Sequence, residues 1–356
     1  MDLNSATATR REPSALPPPM ADGAADGEFP VNSLADVRNL FAAMGNRCRA
    51  IVQGRDETIA LVLIAMFADG HVLLEDHPGS GKTTLAKGLG GAIRRPPQDQ
   101  AVAAMRRIQF TPDLLPSDIT GGMVFDAESK QFVFRAGPVF ANVVLADEIN
   151  RTSPKVQASL LEAMAEKQVT VDNQSYPLED LFFVIATQNP LDLAGTYPLP
   201  RAQLDRFLFK IRMTYLSKEH EMEVLTRWRA VRQKPPTFAV SPATFLAARK
   251  LMLDAVQVSA SIMECLCDIA ANLRKDKRVA LATSTRSLVV AMPALQARAM
   301  MHGRDYVSPA DIKALAQPMF SHRLELLPGL KDADTVVAEC CAPVIEAATR
   351  NSLAGK

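Results

Sequence analysis

Residues 73–85 read LLEDHPGSGKTTL, and this stretch decides how the rest of the chain is arranged. The apolar run from His71 to Leu74 has the composition of a buried strand, and residues 83–93 space their apolar side chains as a helix does. The turn between these two segments contains two glycines, which let the backbone approach an anion closely. A strand, a glycine-rich turn and a helix in this order predict a phosphate-binding loop.

The residue types in this loop suit a nucleotide bound with magnesium. We expect Lys82 to reach the β- and γ-phosphates and the Thr83 hydroxyl to hold the metal ion that bridges them. Asp76 stands where the motif has glycine, which leaves its effect on nucleotide affinity open. The alternative is a glycine-rich turn without chemical function. The expected phosphate-binding residues are Pro78, Gly79, Ser80, Gly81, Lys82, Thr83 and Thr84.

Length, charge and cysteine usage limit the class of protein. A chain of 356 residues exceeds one compact core of ordinary size and predicts two domains. The net charge of +1 gives no reason to expect a general attraction to nucleic acid or to an anionic membrane. The five cysteines form no Cys-x-x-Cys pair, which favours buried free thiols over disulfides or structural zinc. Because no apolar run reaches membrane-spanning length, we expect a soluble, cytoplasmic protein.

Apolar periodicity divides the chain into three regions. Residues 1–30 are rich in Ala, Pro, Asp and Gly, and we expect a disordered tail there. In residues 31–215 strands alternate with helices, which predicts an α/β domain with a parallel sheet between layers of helices. Two hairpins are expected within this domain, over 121–137 and 169–177. Residues 216–356 show helical patterns only and predict a smaller all-α domain.

Polar residues follow two of the predicted strands. Asp147 and Glu148 come directly after an apolar run, and Asn189 follows the strand at 182–186. Because the carboxyl ends of parallel strands open at one edge of a sheet, these side chains should meet the phosphate-binding loop. We expect Asp147 beside the metal, Glu148 as the base that activates water, and Asn189 as the amide that orients this water. The alternatives are a solvated strand end for the two acids and an Asn-Pro turn for Asn189.

Four longer stretches resemble the MoxR-type AAA+ ATPases of the helix-2-insert clade. They are RIQFTPDLLPSDITG at 107–121, DEINRTSPKVQASLLEAMAEKQVTV at 147–171, ATQNP at 186–190 and GTYPLPRAQLDRF at 195–207. The resemblance covers residues 31–349 and implies a P-loop AAA+ domain followed by a helical lid. It places Lys82 and Thr83 in the Walker A motif, Asp147 and Glu148 in the Walker B motif, and Asn189 at sensor 1.

The resemblance also implies roles for two arginines. Arg206 matches the arginine finger of the family, and Arg286 matches the sensor 2 arginine of the lid. An arginine finger on the far side of the sheet from Lys82 serves a neighbouring subunit, so a homo-oligomeric ring is implied, with a hexamer expected. The departures from the family pattern are Asp76, the inverted order of Gln53-Gly54, Arg201 in place of Glu, and Thr285 in place of Pro.

The function implied by the resemblance is magnesium-dependent hydrolysis of ATP that drives the chaperone-like remodelling or maturation of a protein complex or a metalloenzyme. ATP and Mg²⁺ are the expected cofactors, and a protein with a von Willebrand factor A domain is one suggested partner. The hairpin at 121–137 either carries motion to this client or is a rigid surface feature. Three alternatives stay open. A chelatase-type motor ATPase is one, a nucleic-acid motor is disfavoured by the balanced charge, and a non-hydrolysing scaffold is disfavoured by Glu148, Asn189 and Arg206.

Overall fold

The chain is described from a computed structural model. The described residues are 29–75, 80–95, 102–189, 195–227, 238–330 and 332–354. Most of the expected N-terminal tail lies outside them, as do Asp76, Pro78 and Gly79 of the phosphate-binding loop.

Strands and helices alternate in the first part of the described chain, and helices dominate the second. The strands are β1 (Val72–Glu75), β2 (Ala103–Gln109), β3 (Gly121–Asp126), β4 (Gln131–Ala136), β5 (Ala141–Asp147), β6 (Gln168–Val171), β7 (Gln174–Pro177), β8 (Phe183–Gln188), β9 (Phe209–Arg212), β10 (Val279–Leu281) and β11 (Glu325–Leu326). The helices are α1 (Leu34–Ile51), α2 (Asp56–Phe67), α3 (Lys82–Gly90), α4 (Pro116–Thr120), α5 (Pro154–Glu166), α6 (Arg201–Leu204), α7 (Lys218–Arg227), α8 (Pro242–Ala255), α9 (Ala260–Lys275), α10 (Thr285–Met301), α11 (Pro309–Phe320) and α12 (Ala333–Ala354).

A parallel sheet of five strands, in the order β2-β5-β8-β1-β9, lies at the centre of the first part. Its inner strands are continuous apolar runs because helices cover both faces, and every residue of β5 is buried. Successive side chains point to opposite faces, so that Val72 and Leu74 pack in the core that contains α1, α2 and α3. Leu73 packs instead in the core that contains α5. The predicted α/β fold with a parallel sheet between helices is therefore confirmed.

The two predicted hairpins are present as β3–β4 and β6–β7. Gly121 begins the first of them with φ +88°, and a Cβ at this position would lie 2.2 Å from the Arg135 carbonyl oxygen. The second hairpin packs on the first, because the rings of Phe134 and Tyr176 stack with their centroids 3.7 Å apart. The first hairpin thus has a fixed base, while the rings of Phe125 and Phe132 near its tip are 55% and 66% exposed.

The C-terminal helices share one hydrophobic core with α1 and α2. Phe245 of α8 lies against Phe67 of α2, with ring centroids 4.7 Å apart. α8 and α11 each begin with the pair Ser-Pro, which is typical of a helix start. The Ser241 hydroxyl accepts a hydrogen bond from a backbone N–H of the first turn of α8. At α11 the Ser308 backbone N–H donates to the Asp311 carboxylate, as in a capping box. The predicted helical second region is confirmed.

This region also contains an antiparallel ribbon of β10 and β11, which the sequence did not predict. Strands of three and two residues are too short to show a periodic pattern. The expectation that all cysteines are buried is wrong for Cys267, which is exposed, while the other four are buried. Cys267 lies on the outer face of α9, whose inner face buries Ile262, Leu266 and Ile269.

The His71 side chain connects three elements, which are β1, β8 and α5. The Val184 backbone N–H donates to Nδ1 at 3.1 Å, which leaves the proton on Nε2, and Nε2 donates to the Met164 carbonyl oxygen at 3.2 Å. The imidazole is thus neutral, and burial lowers its pKa to about 4. This side chain ties the start of β1 to β8 and to the end of α5.

Candidate active site

The strand order brings the predicted acids and Asn189 to the edge where the loop begins. β8 lies between β1, which leads into the loop, and β5, which ends at Asp147. In the register of these strands Glu75 lies opposite Gln188, the residue before Asn189, and Ala146 lies opposite Ala186. The carboxyl ends of the three strands therefore form one polar edge, as expected from the sequence.

The described part of the loop begins at Ser80. Gly81 has φ +95°, a left-handed conformation that favours glycine, and it precedes the first residue of α3, Lys82. The start of α3 has no side-chain cap among the described residues, so the N–H groups of its first turn, which includes Thr83 and Thr84, can bind an anion. The Ser80 hydroxyl is buried without a hydrogen-bond partner in the described chain. A phosphate oxygen would supply the missing partner.

Both oxygens of the Asp147 carboxylate accept hydrogen bonds. The Thr187 hydroxyl donates to Oδ1 at 2.7 Å. Arg107 donates to Oδ2 from Nη2 at 2.7 Å and from Nε at 3.1 Å. The carboxylate is thus held in one orientation by donors from the strands on either side of β5.

Glu148 has an unusual backbone conformation for a residue with a side chain. Its φ of 59° lies in the left-handed region, which costs roughly 1–3 kcal/mol for a residue with a side chain. The Glu148 N–H donates to the Thr187 hydroxyl at 2.9 Å, which supports this turn. Its Oε2 accepts a hydrogen bond from Gln109 Nε2 at 3.0 Å, and Arg151 Nε lies 3.2 Å from the same oxygen.

Glu75 fixes the stem of the loop. Its Oε1 accepts from Gln188 Nε2 and from Lys210 Nζ, each at 2.7 Å. Its Oε2 lies 3.4 Å from Arg212 Nε, and Arg212 Nη1 also contacts Asp334 of α12 at 2.6 Å. The stem of the loop is therefore connected to the strand that precedes Asn189 and to the last helix.

A polar cavity of about 210 Å³ lies beside the loop, between the start of α2 and the segment that follows β9. Gly54 lines it with φ +67°, and a Cβ there would lie 2.8 Å from the Cβ of His220. Val52, two residues before Gly54, lies 3.7 Å from the point where a Gly81 side chain would begin. The cavity thus lies near the phosphate-binding loop. Its lining residue His220 belongs to no motif in the sequence.

Arg206 and Arg286 do not lie at this edge. Arg206 precedes β9 and donates to the Leu161 carbonyl oxygen at 3.3 Å. Since β9 is parallel to β1, its amino end lies opposite the edge from which the loop leaves. Arg286 is exposed in the first turn of α10, and the next residue, Ser287, donates to Asp205 at 3.3 Å. Both arginines therefore lie at the far edge of the sheet.

Arg201, which lies five residues before Arg206 and is the second candidate for the arginine finger, has a different environment. Its Nη1 lies 3.0 Å from Glu325 Oε2 of the ribbon and 3.4 Å from the Leu281 carbonyl oxygen. These contacts commit the side chain to the C-terminal region of its own chain.

Arg107, Gln109 and Thr187 are site residues that the sequence reasoning missed. A signal existed for the first two, since residues two apart on a strand share a face and both precede a strand end. Thr187 gives no such signal, because a single threonine near the end of a strand matches no functional motif by itself.

The oxygen atoms of Thr83 and Asp147 suit magnesium, which takes few protein ligands and is completed by water and phosphate. The described residues contain no cluster of three or more His, Cys, Asp or Glu side chains that could hold a metal alone. A hydroxyl and a carboxylate beside a phosphate-binding helix start therefore fit an ion that is bound together with a nucleotide.

Comparison with protein families gives two matches in this chain. Residues 71–209 match the ATPase family associated with various cellular activities (AAA), and residues 271–340 match the AAA lid domain. The first match covers β1 to β8 with the active-site edge, and the second covers α10, α11 and parts of α9 and α12.

Individual relatives match most of the chain. The uncharacterised Bacillus subtilis protein YeaC is 43% identical over 87% of this chain and 95% of its own length. The Mycobacterium tuberculosis chaperone MoxR1 is 36% identical, with 82% of this chain and 77% of the relative covered. A crystal structure from Cytophaga hutchinsonii, provisionally assigned as an ATPase, is 34% identical with a TM-score of 0.74, and the match covers 89% of this chain and 95% of that one.

Proposed function

Because the chain belongs to the MoxR family of AAA+ ATPases, we propose that it hydrolyses magnesium-bound ATP at the edge formed by β1, β8 and β5 and uses the energy to remodel a protein client. ATPase activity follows from the family. The observation that carries the residue roles is made on the described part of the chain, where a helix start without a side-chain cap, a buried Ser80 hydroxyl without a partner and two oriented acids meet at one edge.

We assign the binding of the triphosphate to the loop and the start of α3. Lys82 would offset the charge of the β- and γ-phosphates, and the N–H groups of the first turn would donate to their oxygens. Thr83 and Asp147 would hold the magnesium ion, which supplies charge neutralisation on the phosphates when bound. The cavity lined by Gly54 and His220 would receive the adenine base, since Val52, two residues before Gly54, lies close to Gly81.

We assign the chemical step to Glu148 and Asn189. Glu148 would accept a proton from the water that attacks the γ-phosphate, and Asn189 would hold this water by its side-chain amide. In the structure Gln109 donates to Oε2 of the Glu148 carboxylate at 3.0 Å. Because a carboxylate accepts several hydrogen bonds, the attacking water would use another lone pair of this group. The Thr187 hydroxyl donates to Asp147 and accepts from the Glu148 N–H, and it would hold the two acids in place.

The position of Arg206 and Arg286 supports a ring in which each chain completes the site of its neighbour. Neither side chain lies at the edge that carries the loop of its own chain. A guanidinium from the next subunit would offset the charge on the γ-phosphate oxygens in the transition state. We propose a homo-oligomer of this kind with six subunits.

The client would meet the first hairpin. Phe125 and Phe132 expose a large apolar surface on a support fixed by Phe134 and Tyr176. The name of the relative MoxR1 describes a chaperone, which supports a protein as the object of the work. A protein with a von Willebrand factor A domain is the partner class we would test first.

Substitution of Glu148 tests the assignment of the base. Glu148→Gln keeps the shape of the side chain but removes its basicity, so we expect ATP to bind while turnover falls roughly a hundredfold or more. Turnover of radiolabelled ATP and affinity for a fluorescent ATP analogue measure the two effects. Glu162→Gln, an exposed position on α5, is the matched control and should retain full turnover. Normal turnover in Glu148→Gln would mean that another residue activates the water.

A further inference from the structure

Arg107 is a charged side chain of the active-site edge to which the proposed hydrolysis gives no role. It lies on β2, the edge strand beside β5, and contacts Asp147 Oδ2 through both Nη2 and Nε. The Asp147 side chain is 11% exposed, whereas that of Arg107 is 48% exposed. The pair is therefore open to solvent on the arginine side and nearly closed on the carboxylate side.

An arginine at this carboxylate changes what a metal ion meets. The guanidinium offsets the negative charge of Asp147, and its two N–H groups occupy the lone pairs of Oδ2. The Thr187 hydroxyl already donates to Oδ1. A divalent ion that arrives alone must displace these donors or share the oxygens with them. An ion that arrives on a nucleotide is held by phosphate oxygens as well, so it depends less on this one carboxylate.

Arg107 is also connected to the proposed base. Its Nη2 donates to Gln109 Oε1 at 2.5 Å, and Gln109 Nε2 donates to Glu148 Oε2 at 3.0 Å. Arg107 and Gln109 of β2, Asp147 at the end of β5 and Glu148 directly after it thus form one continuous network. A shift of the guanidinium away from Asp147 would alter the hydrogen bonding of Glu148 at the same time.

We propose that Arg107 is a positioning residue that acts as the counter-ion of Asp147 and prevents a divalent metal ion from binding before the nucleotide. The inference rests on the proposed place of Asp147 beside the metal. In this proposal Arg107 of β2 determines the order of binding, because the metal ion enters the site already bound to the phosphates of the nucleotide.

Binding of Mn²⁺ to the nucleotide-free protein tests this role, since Mn²⁺ takes oxygen ligands as Mg²⁺ does and its free form is counted by electron paramagnetic resonance. Arg107→Gln removes the counter-ion, so we expect it to bind Mn²⁺ roughly tenfold more tightly than the unchanged protein. Arg106→Gln is the matched control, because Arg106 is exposed on the same strand with its side chain on the opposite face. Adding Asp147→Asn to Arg107→Gln should remove the gain, which would locate it at this carboxylate.

A second variant guards against a folding defect, which thermal melting would reveal. Arg107→Lys keeps a positive charge but loses the two-point contact, and we expect it to gain Mn²⁺ affinity less than Arg107→Gln does. Unchanged Mn²⁺ affinity in folded Arg107→Gln and Arg107→Lys, equal to that of Arg106→Gln, would overturn the inference.

The failure of the underlying function would look different. If Asp147→Asn binds Mn²⁺ and an ATP analogue together as tightly as the unchanged protein does, Asp147 is not beside the metal and the proposed function fails at that residue. If Asp147→Asn weakens this joint binding while Arg107→Gln leaves nucleotide-free binding unchanged, only the role of Arg107 is lost.

Discussion

Lys82 is the residue on which nucleotide binding depends most directly in the proposed site. It begins α3, where its ammonium group would lie among phosphate oxygens, so Lys82→Ala should weaken ATP binding roughly a hundredfold. Titration of a fluorescent ATP analogue measures the change. Lys87→Ala, an exposed lysine near the end of the same helix, should bind as the unchanged protein does. Equal affinities in the two variants would show that the loop does not hold the phosphates.

His71 makes a pH dependence of stability predictable. Its pKa is about 4 in the folded chain and near 6.5 when unfolded, so below pH 6.5 the unfolded chain takes up a proton that the folded chain refuses. The stability of the folded state should therefore fall as the pH falls through this window, by about 2 kcal/mol between pH 7 and pH 5 from this group. Buried His322, whose pKa is also lowered by desolvation, adds an effect of the same sign.

Urea unfolding at pH 7 and pH 5 checks this expectation. His71→Gln should be less stable at both values but should lose less stability between them than the unchanged protein does. The same loss in both proteins would mean that His71 is charged in the folded state or exposed to water.

Among single residues, those that belong to motifs could be predicted from the sequence. Those that reach the site only through the register of neighbouring strands could not. Lys82, Asp147 and Glu148 are visible because they follow strands or glycines at fixed spacing. Arg107 reaches Asp147 only because β2 pairs with β5 in a particular register, which no local pattern specifies.

Among the elements, the first hairpin carries the clearest prediction of client contact. Phe125→Ser combined with Phe132→Ser removes exposed apolar area without touching the buried base of the hairpin. We expect the affinity for fluorescently labelled casein, a client-like protein without a fixed fold, to fall roughly tenfold. Leu225→Ser removes an exposed apolar side chain on α7 and serves as the control. Unaltered casein binding by the hairpin variant would assign the client to another surface.

Long elements with strong periodicity were predictable, and short ones were not. The apolar strand β5 and the capped helices α8 and α11 agree with their sequence signals. The ribbon of β10 and β11 depends on a pairing between segments more than forty residues apart, so neither strand is visible alone.

For the whole molecule, the far-edge position of Arg206 predicts cooperation between chains. Arg206→Ala and Lys82→Ala should each be inactive, yet a mixture that exchanges subunits should recover part of the activity. Recovery is expected because some interfaces then pair an intact loop with an intact arginine. ATP turnover before and after mixing measures it, with mass spectrometry to verify exchange. Arg201→Ala, whose side chain contacts the ribbon of its own chain, should remain active without mixing.

Failure of the mixture to recover activity, despite verified exchange, would place the arginine function elsewhere. Activity in Arg206→Ala alone would remove this residue from the mechanism.

The expected domain boundary near Tyr215 and the expected disordered tail at 1–30 stay predictions. Across the part of the chain that the structure covers, each helix is too short or too polar to cross a bilayer.

The shared core of α1, α2 and the C-terminal helices has a consequence for how such a chain can change over generations. The segment that matches the AAA family, 71–209, excludes the fully buried residues Phe41 and Phe67, and the ring of Phe67 lies between those of Phe41 and Phe245. A gene fusion that transferred this segment alone would separate it from α1, α2 and the C-terminal helices, and the apolar surfaces that these elements bury would be exposed to water. Recombination between relatives is therefore expected to give a folded protein only when the helices on both sides of this segment come from the same parent. The sequences before and after the catalytic core should then be inherited together.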